Sequence, residues 1–195
     1  MKLEPFALER WMTTYEMDVD YDIGESGIFP QTVHELLDME PPEQREATLE
    51  RLLNLRLGYA EACGSHELRS LLAATYDHCG PENILVTTGA IEANFLLFNV
   101  LLEAGDHMVA PYPAYQQLYS VPRALGCEVA LWRIRPETGF RYDVDDLEKL
   151  VTPRTRLIVV NSPHNPTGAM LSAGDLQRVH DLAESVGARI LSDEA

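Results

Sequence analysis

The sequence predicts an α/β fold built on a mostly parallel sheet flanked by helices. Short apolar runs recur at His107–Ala110, Cys127–Trp132, Leu157–Val160 and Ala188–Leu191. Between them lie stretches with helical spacing, joined by short connections. Alternation of this kind means βαβ units with right-handed crossovers. The last two runs also end in polar residues, Asn161–Gly168 after one and Ser192-Asp193-Glu194-Ala195 after the other. Strand carboxyl ends are where α/β proteins bind ligands.

Residues 1–60 differ from the rest. They are acidic, helical or irregular, and interrupted by Gly24, Gly27, Pro30, Pro41 and Pro42. Leu36-Leu37 and Leu49-Leu52-Leu53 suggest short helices that pack on something else. Ser65 can cap a helix carrying Leu68, Leu71, Leu72 and Thr75, which Pro81-Glu82-Asn83 breaks. Ile84-Leu85-Val86 reads as a short buried strand. Thr87-Thr88-Gly89-Ala90 turns into an apolar helix through about Leu102. His107–Ala110 follows as a strand, then a helix over Tyr115–Leu125 ended by Gly126, then the Cys127–Trp132 strand. Val144–Leu150 is a short helix and Leu157–Val160 a strand. Ser172–Val186 is a helix closed by Gly187, and Ala188–Leu191 is the last strand.

Of the 195 residues 46% are hydrophobic, enough to bury a core, and the length suits one large domain plus a flanking piece. Fifteen Lys+Arg against 31 Asp+Glu leave a net charge of −16, which argues against nucleic acid and anionic membranes as partners. Cys63, Cys79 and Cys127 are far apart, without metal-ligand spacing, and read as reduced thiols; no metal site is expected. No signal-peptide pattern or long apolar run occurs, so a cytoplasmic protein is expected.

Four segments can carry chemistry. Thr87–Ile91 joins a strand to a helix, and helix N-terminal amides bind phosphate, although an ordinary capped helix start reads the same way. Pro111-Tyr112-Pro113-Ala114-Tyr115 can offer an aromatic ring to a planar ligand, or can be a turn whose tyrosines pack locally. Asn161–Gly168 holds two prolines and a glycine, more than a plain turn needs, and presents Asn165 as a rigid donor to an oxyanion. His164 reads as a loop residue in preference to a base. Asp193 follows a buried strand, where a carboxylate requires an arginine, a metal or a protonated ring nitrogen; Glu194 is the competing carboxylate.

These segments, in this order, resemble the large domain of the fold-type I pyridoxal-5′-phosphate (PLP) enzymes, the class I/II aminotransferases. The run Asn161-Ser-Pro-His-Asn165-Pro-Thr-Gly168 and the Ser192-Asp193-Glu194-Ala195 strand end carry the resemblance, which covers nearly the whole chain. It implies that Asp193 holds the pyridine nitrogen protonated, that Asn165 donates to the phenolate oxygen, and that Tyr115 stacks on the ring. Gly89 would open the phosphate turn, with the amides of Ala90 and Ile91 on the phosphate and Thr88 a weaker contributor. Tyr59, in Gly58-Tyr59-Ala60-Glu61, would reach the phosphate of a neighbouring subunit in a homodimer. Gly24 would lie near the substrate carboxylate, and Asn161 would belong to the pocket. Residues 1–60 would form an N-terminal arm and part of the small domain, and 61–195 the N-terminal part of the PLP-binding large domain.

The family's Schiff-base lysine, a tyrosine and a carboxylate-binding arginine all follow the Asp193 position. Lys2 and Lys149 are the two lysines, and neither matches. The chain is therefore expected to be truncated before its C-terminal half, and inactive and poorly soluble by itself. The implied reaction is amino transfer between an amino acid and a 2-oxo acid. The alternative is a lyase or cyclase of the same fold. Glu9-Arg10-Trp11, Asp22–Gly27, Pro113–Gln116 and Arg135–Phe140 are similar to the capreomycidine-synthase-like branch, which cyclises a hydroxylated arginine. A third reading, an effector-sensing domain of a transcription regulator, would need a DNA-binding segment upstream.

Overall fold

The structure, a computed structural model, describes residues 2–21, 24 and 26–195. Asp22, Ile23 and Glu25, which flank Gly24, lie outside the described residues. The chain forms two compact units, one of Met1–Asp18 with Thr87–Ala195 and one of Val19–Val86.

The larger unit begins with helix α1 (Ala7–Tyr15). The smaller unit carries α2 (Val33–Asp38), α3 (Pro42–Leu53) and α4 (His66–Ala73). Thr32 and Glu35 form a reciprocal capping box on α2, Pro42 starts α3, and Ser65 accepts from the Leu68 amide at the start of α4. Arg69 of α4 donates to the carbonyls of Gly64 and Pro81 at 2.9 and 2.8 Å, which closes the connection after that helix.

Back in the larger unit, α5 (Gly89–Leu101) precedes strand β1 (His107–Tyr112), α6 (Gln117–Leu125) and β2 (Glu128–Arg133). Then come α7 (Val144–Leu150), β3 (Thr155–Asn161), α8 (Ala173–Val186) and β4 (Arg189–Asp193). The strands make one parallel four-stranded sheet in the order β2-β1-β3-β4. Ser172 caps α8, and Gly126 and Gly187 end α6 and α8 in the left-handed conformation that a Cβ disfavours.

The middles of the central strands, Met108–Ala110 and Leu157–Val160, are unbroken apolar runs because both faces are covered. Met108, Ala110, Leu157 and Val159 face one way and pack with Phe98 of α5 and Leu118 and Val121 of α6. Val109, Ile158 and Val160 face the other way, against Trp132, Val144 and Leu147, and Val179 and Ala183 of α8. Each fully buried Val, Leu or Ile of this kind contributes about 1.5–3 kcal/mol. This three-layer core fixes the strand ends from which the site is built.

One expected element is absent. Ile84–Val86 is extended but joins no ladder among the described residues; the Val86 amide bonds the Cys63 carbonyl at 3.0 Å. An apolar run forms a strand only where a neighbouring strand supplies its hydrogen bonds, and local pattern does not report that. No described helix is long and apolar enough to cross a membrane.

Candidate active site

After β1 the chain runs outward to β2, returns to β3 on the other side of β1, and continues outward to β4. This reversal makes a topological switch point at the carboxyl ends of β1 and β3. Tyr112 ends β1, Asn161 ends β3 and Asp193 ends β4, with Asn161 and Asp193 in register.

Asn161 organises this edge. It is buried, and its Nδ2 donates to the Asp193 carbonyl at 2.9 Å while its Oδ1 accepts from the Asn165 amide at 2.7 Å. The Ser162 amide also donates to the Asp193 carbonyl, at 3.2 Å. Tyr142, on the segment leading into α7, donates its hydroxyl to the Asn161 carbonyl. Burial pushes the Tyr142 hydroxyl well above its ordinary pKa, so it stays a donor.

The Asn165 loop is closed on itself. His164 N–H donates to the Ala169 carbonyl at 2.8 Å and Gly168 N–H to the His164 carbonyl at 2.7 Å. His164 lies in this loop and is held at both ring nitrogens. Its ring is 2% exposed, with Nε2 2.6 Å from the Pro113 carbonyl and Nδ1 2.7 Å from the Thr167 hydroxyl. A carbonyl only accepts, so Nε2 carries the hydrogen. Burial lowers the pKa of this imidazole, against a smaller opposing effect of the Pro113 bond. A neutral His164 thus ties the loop after β1 to the loop after β3. Among the described residues no side chain engages the Asn165 carboxamide, which leaves it able to donate to a ligand.

Asp193 presents a carboxylate whose Oδ2 accepts from Asn94 Nδ2 at 2.9 Å and whose Oδ1 accepts from the Ala195 amide at 3.1 Å. Among the described residues no group of side chains could hold a metal ion there or elsewhere.

The turn expected to hold a phosphate lies at the start of α5. Gly89 has φ +76°, and a Cβ placed on it would meet nothing nearer than Ile91 Cγ2 at 4.0 Å. Backbone conformation therefore demands glycine here, and crowding does not. Ala90 and Ile91 are exposed, and the first amides of a helix have no partner within it. Thr88 N–H is taken by the carboxylate of Glu92 one turn further on. Gln117 of α6 bonds the Ile91 carbonyl through Nε2, while its buried Oε1 has no partner.

Tyr115 is held by the N-terminal segment. Its hydroxyl donates to Glu9 Oε1 at 3.2 Å, and the Phe6 ring meets it edge-on with centroids 5.1 Å apart. Burial, then the Glu9 charge and hydrogen bond, raise its pKa. Tyr112 is the aromatic at the strand terminus itself, with its ring edge-on to Tyr119 and the Arg133 guanidinium 5.4 Å from its centroid. A largely apolar cavity of about 460 Å³ shares Ile91 and Tyr115 with the cofactor positions, but neither Asn165 nor Asp193 lines it.

The residues present fit PLP. An anion cradle, a carboxamide donor and a carboxylate occur on one unit, in the chemical types that a phosphate, a phenolate and a pyridinium require. Gly24 and Tyr59 belong to the Val19–Val86 unit; Tyr59 is fully exposed. Asn94 escaped sequence reasoning, yet a signal existed: it is one of the few polar residues inside the otherwise apolar helix Gly89–Leu101.

The profile of the family "Aminotransferase class I and II" matches residues 32–195. Capreomycidine synthase from Streptomyces vinaceus is 36% identical over 189 residues, 96% of this chain and 48% of that protein. The crystal structure of a PLP-dependent aminotransferase from Streptococcus suis 89-1591 superposes with a TM-score of 0.91 at 39% identity, over 100% of this chain and 52% of that one. The PLP-dependent cyclase OrfR gives a TM-score of 0.84 at 32% identity, over 100% and 50%. The chain thus spans about half the length of the relatives it matches. It belongs to the class I and II aminotransferase family of fold-type I PLP enzymes.

Proposed function

We propose that the protein containing this chain is a PLP-dependent aminotransferase that moves an amino group between an amino acid and a 2-oxo acid. The observation that carries this reading is the Asp193 carboxylate, held by Asn94 beside the Asn161–Asn165 brace at the sheet's switch point. PLP, when bound, supplies an electron sink for the negative charge that develops on the substrate's Cα. Asp193 keeps a proton on the ring nitrogen, Asn165 donates to the phenolate oxygen, and Tyr115 covers one face of the ring. Gly89 and the amides of Ala90 and Ile91 hold the phosphate. Fixed dipoles and a charge aimed at the ring lower the barrier because they need no reorganisation during the reaction.

Residues 1–60 are assigned to the N-terminal arm and part of the small domain, and 61–195 to the PLP-binding large domain. The protein acts in the cytoplasm as a homodimer, with Tyr59 reaching the neighbouring subunit's phosphate and Gly24 near the substrate carboxylate. A lysine outside these residues would hold the cofactor. A second reading, a PLP-dependent cyclase or lyase, is favoured by the similarity to capreomycidine synthase and OrfR over 96% and 100% of the chain.

Incubating the complete protein with amino acids and either 2-oxoglutarate or pyruvate tests the assignment. Appearance of the acceptor's amino acid supports amino transfer. Ammonia or a cyclised product formed without any acceptor overturns it in favour of the second reading.

A further inference from the structure

We propose that Asn94 is the positioning residue for Asp193, and that through it one helix aligns both the phosphate and the ring nitrogen of the cofactor. The inference rests on the proposed pairing of Asp193 with the pyridine nitrogen. Asn94 is 5% exposed, and its Nδ2 lies 2.9 Å from Asp193 Oδ2, across 99 residues of sequence. A carboxylate only accepts, which fixes the orientation of the carboxamide. A donor to a charged acceptor makes one of the stronger hydrogen bonds.

The second Asp193 oxygen accepts from the Ala195 amide at 3.1 Å. Both oxygens are therefore oriented by the chain, and the carboxylate cannot rotate freely toward or away from a ring. Asn94 also follows Ala90 and Ile91 by four and three positions, so it lies one helical turn beyond the amides assigned to the phosphate. α5 is a rigid ruler between the two ends of the cofactor. Its first turn presents donors to the phosphate, and its second turn holds the acceptor that keeps the ring nitrogen protonated. A polar residue at this buried position of an apolar helix has a purpose that leucine would not serve, because Asp193 would then lose a donor.

A purely structural tether between α5 and β4 would also place Asn94 here. Ligand binding separates the two. Pyridoxamine 5′-phosphate binds without a Schiff base, and its 1-deaza analogue replaces the ring nitrogen with CH. In the complete protein, Asn94→Leu should weaken pyridoxamine 5′-phosphate about tenfold, the scale of a lost charge-assisted bond, and change the deaza analogue by less than about twofold. Asn94→Ala removes the donor without adding bulk or charge and should show the same selectivity, so it decides the matter if the leucine variant does not fold. Asp193→Ala is measured in parallel, and adding Asn94→Leu to it should cost no further affinity. Equal losses for both ligands, no loss for either, or undiminished loss in the Asp193→Ala background overturn the role of Asn94. An Asp193→Ala variant that binds pyridoxamine 5′-phosphate as well as wild type overturns instead the pairing on which the role depends.

Discussion

Around Asp193, polar atoms from four parts of the chain brace one another. At the start of α5, by contrast, the Thr88 amide is capped from within the same helix, by Glu92. The Asn165 loop is bound to β4 through Asn161, to the loop after β1 through His164, and to the approach to α7 through Tyr142. Ala90 and Ile91, whose amides open the helix, are exposed residues. On the proposed reading, the contrast follows from what each end would hold. A ring nitrogen and a phenolate oxygen need donors and acceptors in fixed directions, which only a cross-braced frame supplies. A phosphate carries charge on several oxygens, and a helix N-terminus meets it with whatever amides are free.

The braced end should be the sensitive one. The largest effect is expected for Asp193→Ala in the complete protein: a fall in kcat of about a thousandfold, the upper range for losing one preorganised electrostatic partner. Steady-state amino transfer measures it, and near-wild-type turnover would contradict the role. Next comes Asn161→Ala, which removes the bonds to the Asp193 carbonyl and the Asn165 amide and leaves the part-buried Asn165 amide without its partner, while the Asp193 carbonyl keeps the Ser162 amide. Denaturant unfolding should show a loss of about 3 kcal/mol; a loss under about 0.5 kcal/mol would mean that the brace is not stabilising.

The His164 contribution appears with pH. Its folded pKa lies below its ordinary value, so between the two the unfolded chain binds more protons than the folded one. Stability should then be fully present above about pH 6.5 and decline as pH falls toward the folded pKa. His107, likewise lowered by burial, adds a slope of the same sign. The melting temperature of wild type should therefore fall more between neutral and mildly acid pH than that of His164→Gln, in which the His107 share remains. Identical slopes would remove His164 from the account. The smallest effect is expected at the open end. Glu92→Gln takes a negative charge away from the phosphate turn and should tighten pyridoxamine 5′-phosphate binding by about 0.3–1 kcal/mol, up to roughly fivefold. Weaker binding would show that Glu92 helps to build the turn.

The strands and helix ends that frame the braced end were legible in the sequence because their patterns are local. Leu157–Val160 and Ala188–Leu191 read as buried parallel strands from their unbroken apolar character, so Asn165 and Asp193 could be placed at strand ends. Ser65, Ser172, Gly126 and Gly187 marked helix ends through capping chemistry that acts within a few residues. What depends on distant partners was not legible. Ile84–Val86 has a strand's composition but no ladder among the described residues. His164 reads as a loop residue until Pro113, 51 positions away, takes its Nε2 hydrogen. Asn94 is silent until Asp193 arrives beside it.

The central claim is that Asp193 keeps the cofactor's ring nitrogen protonated. Nitrogen NMR of the complete protein loaded with PLP labelled with ¹⁵N in the ring observes that atom directly. The account predicts a protonated pyridinium signal in wild type at neutral pH and its replacement by the unprotonated signal in Asp193→Ala. An unprotonated nitrogen in wild type, or a protonated one that persists in the variant, would contradict it.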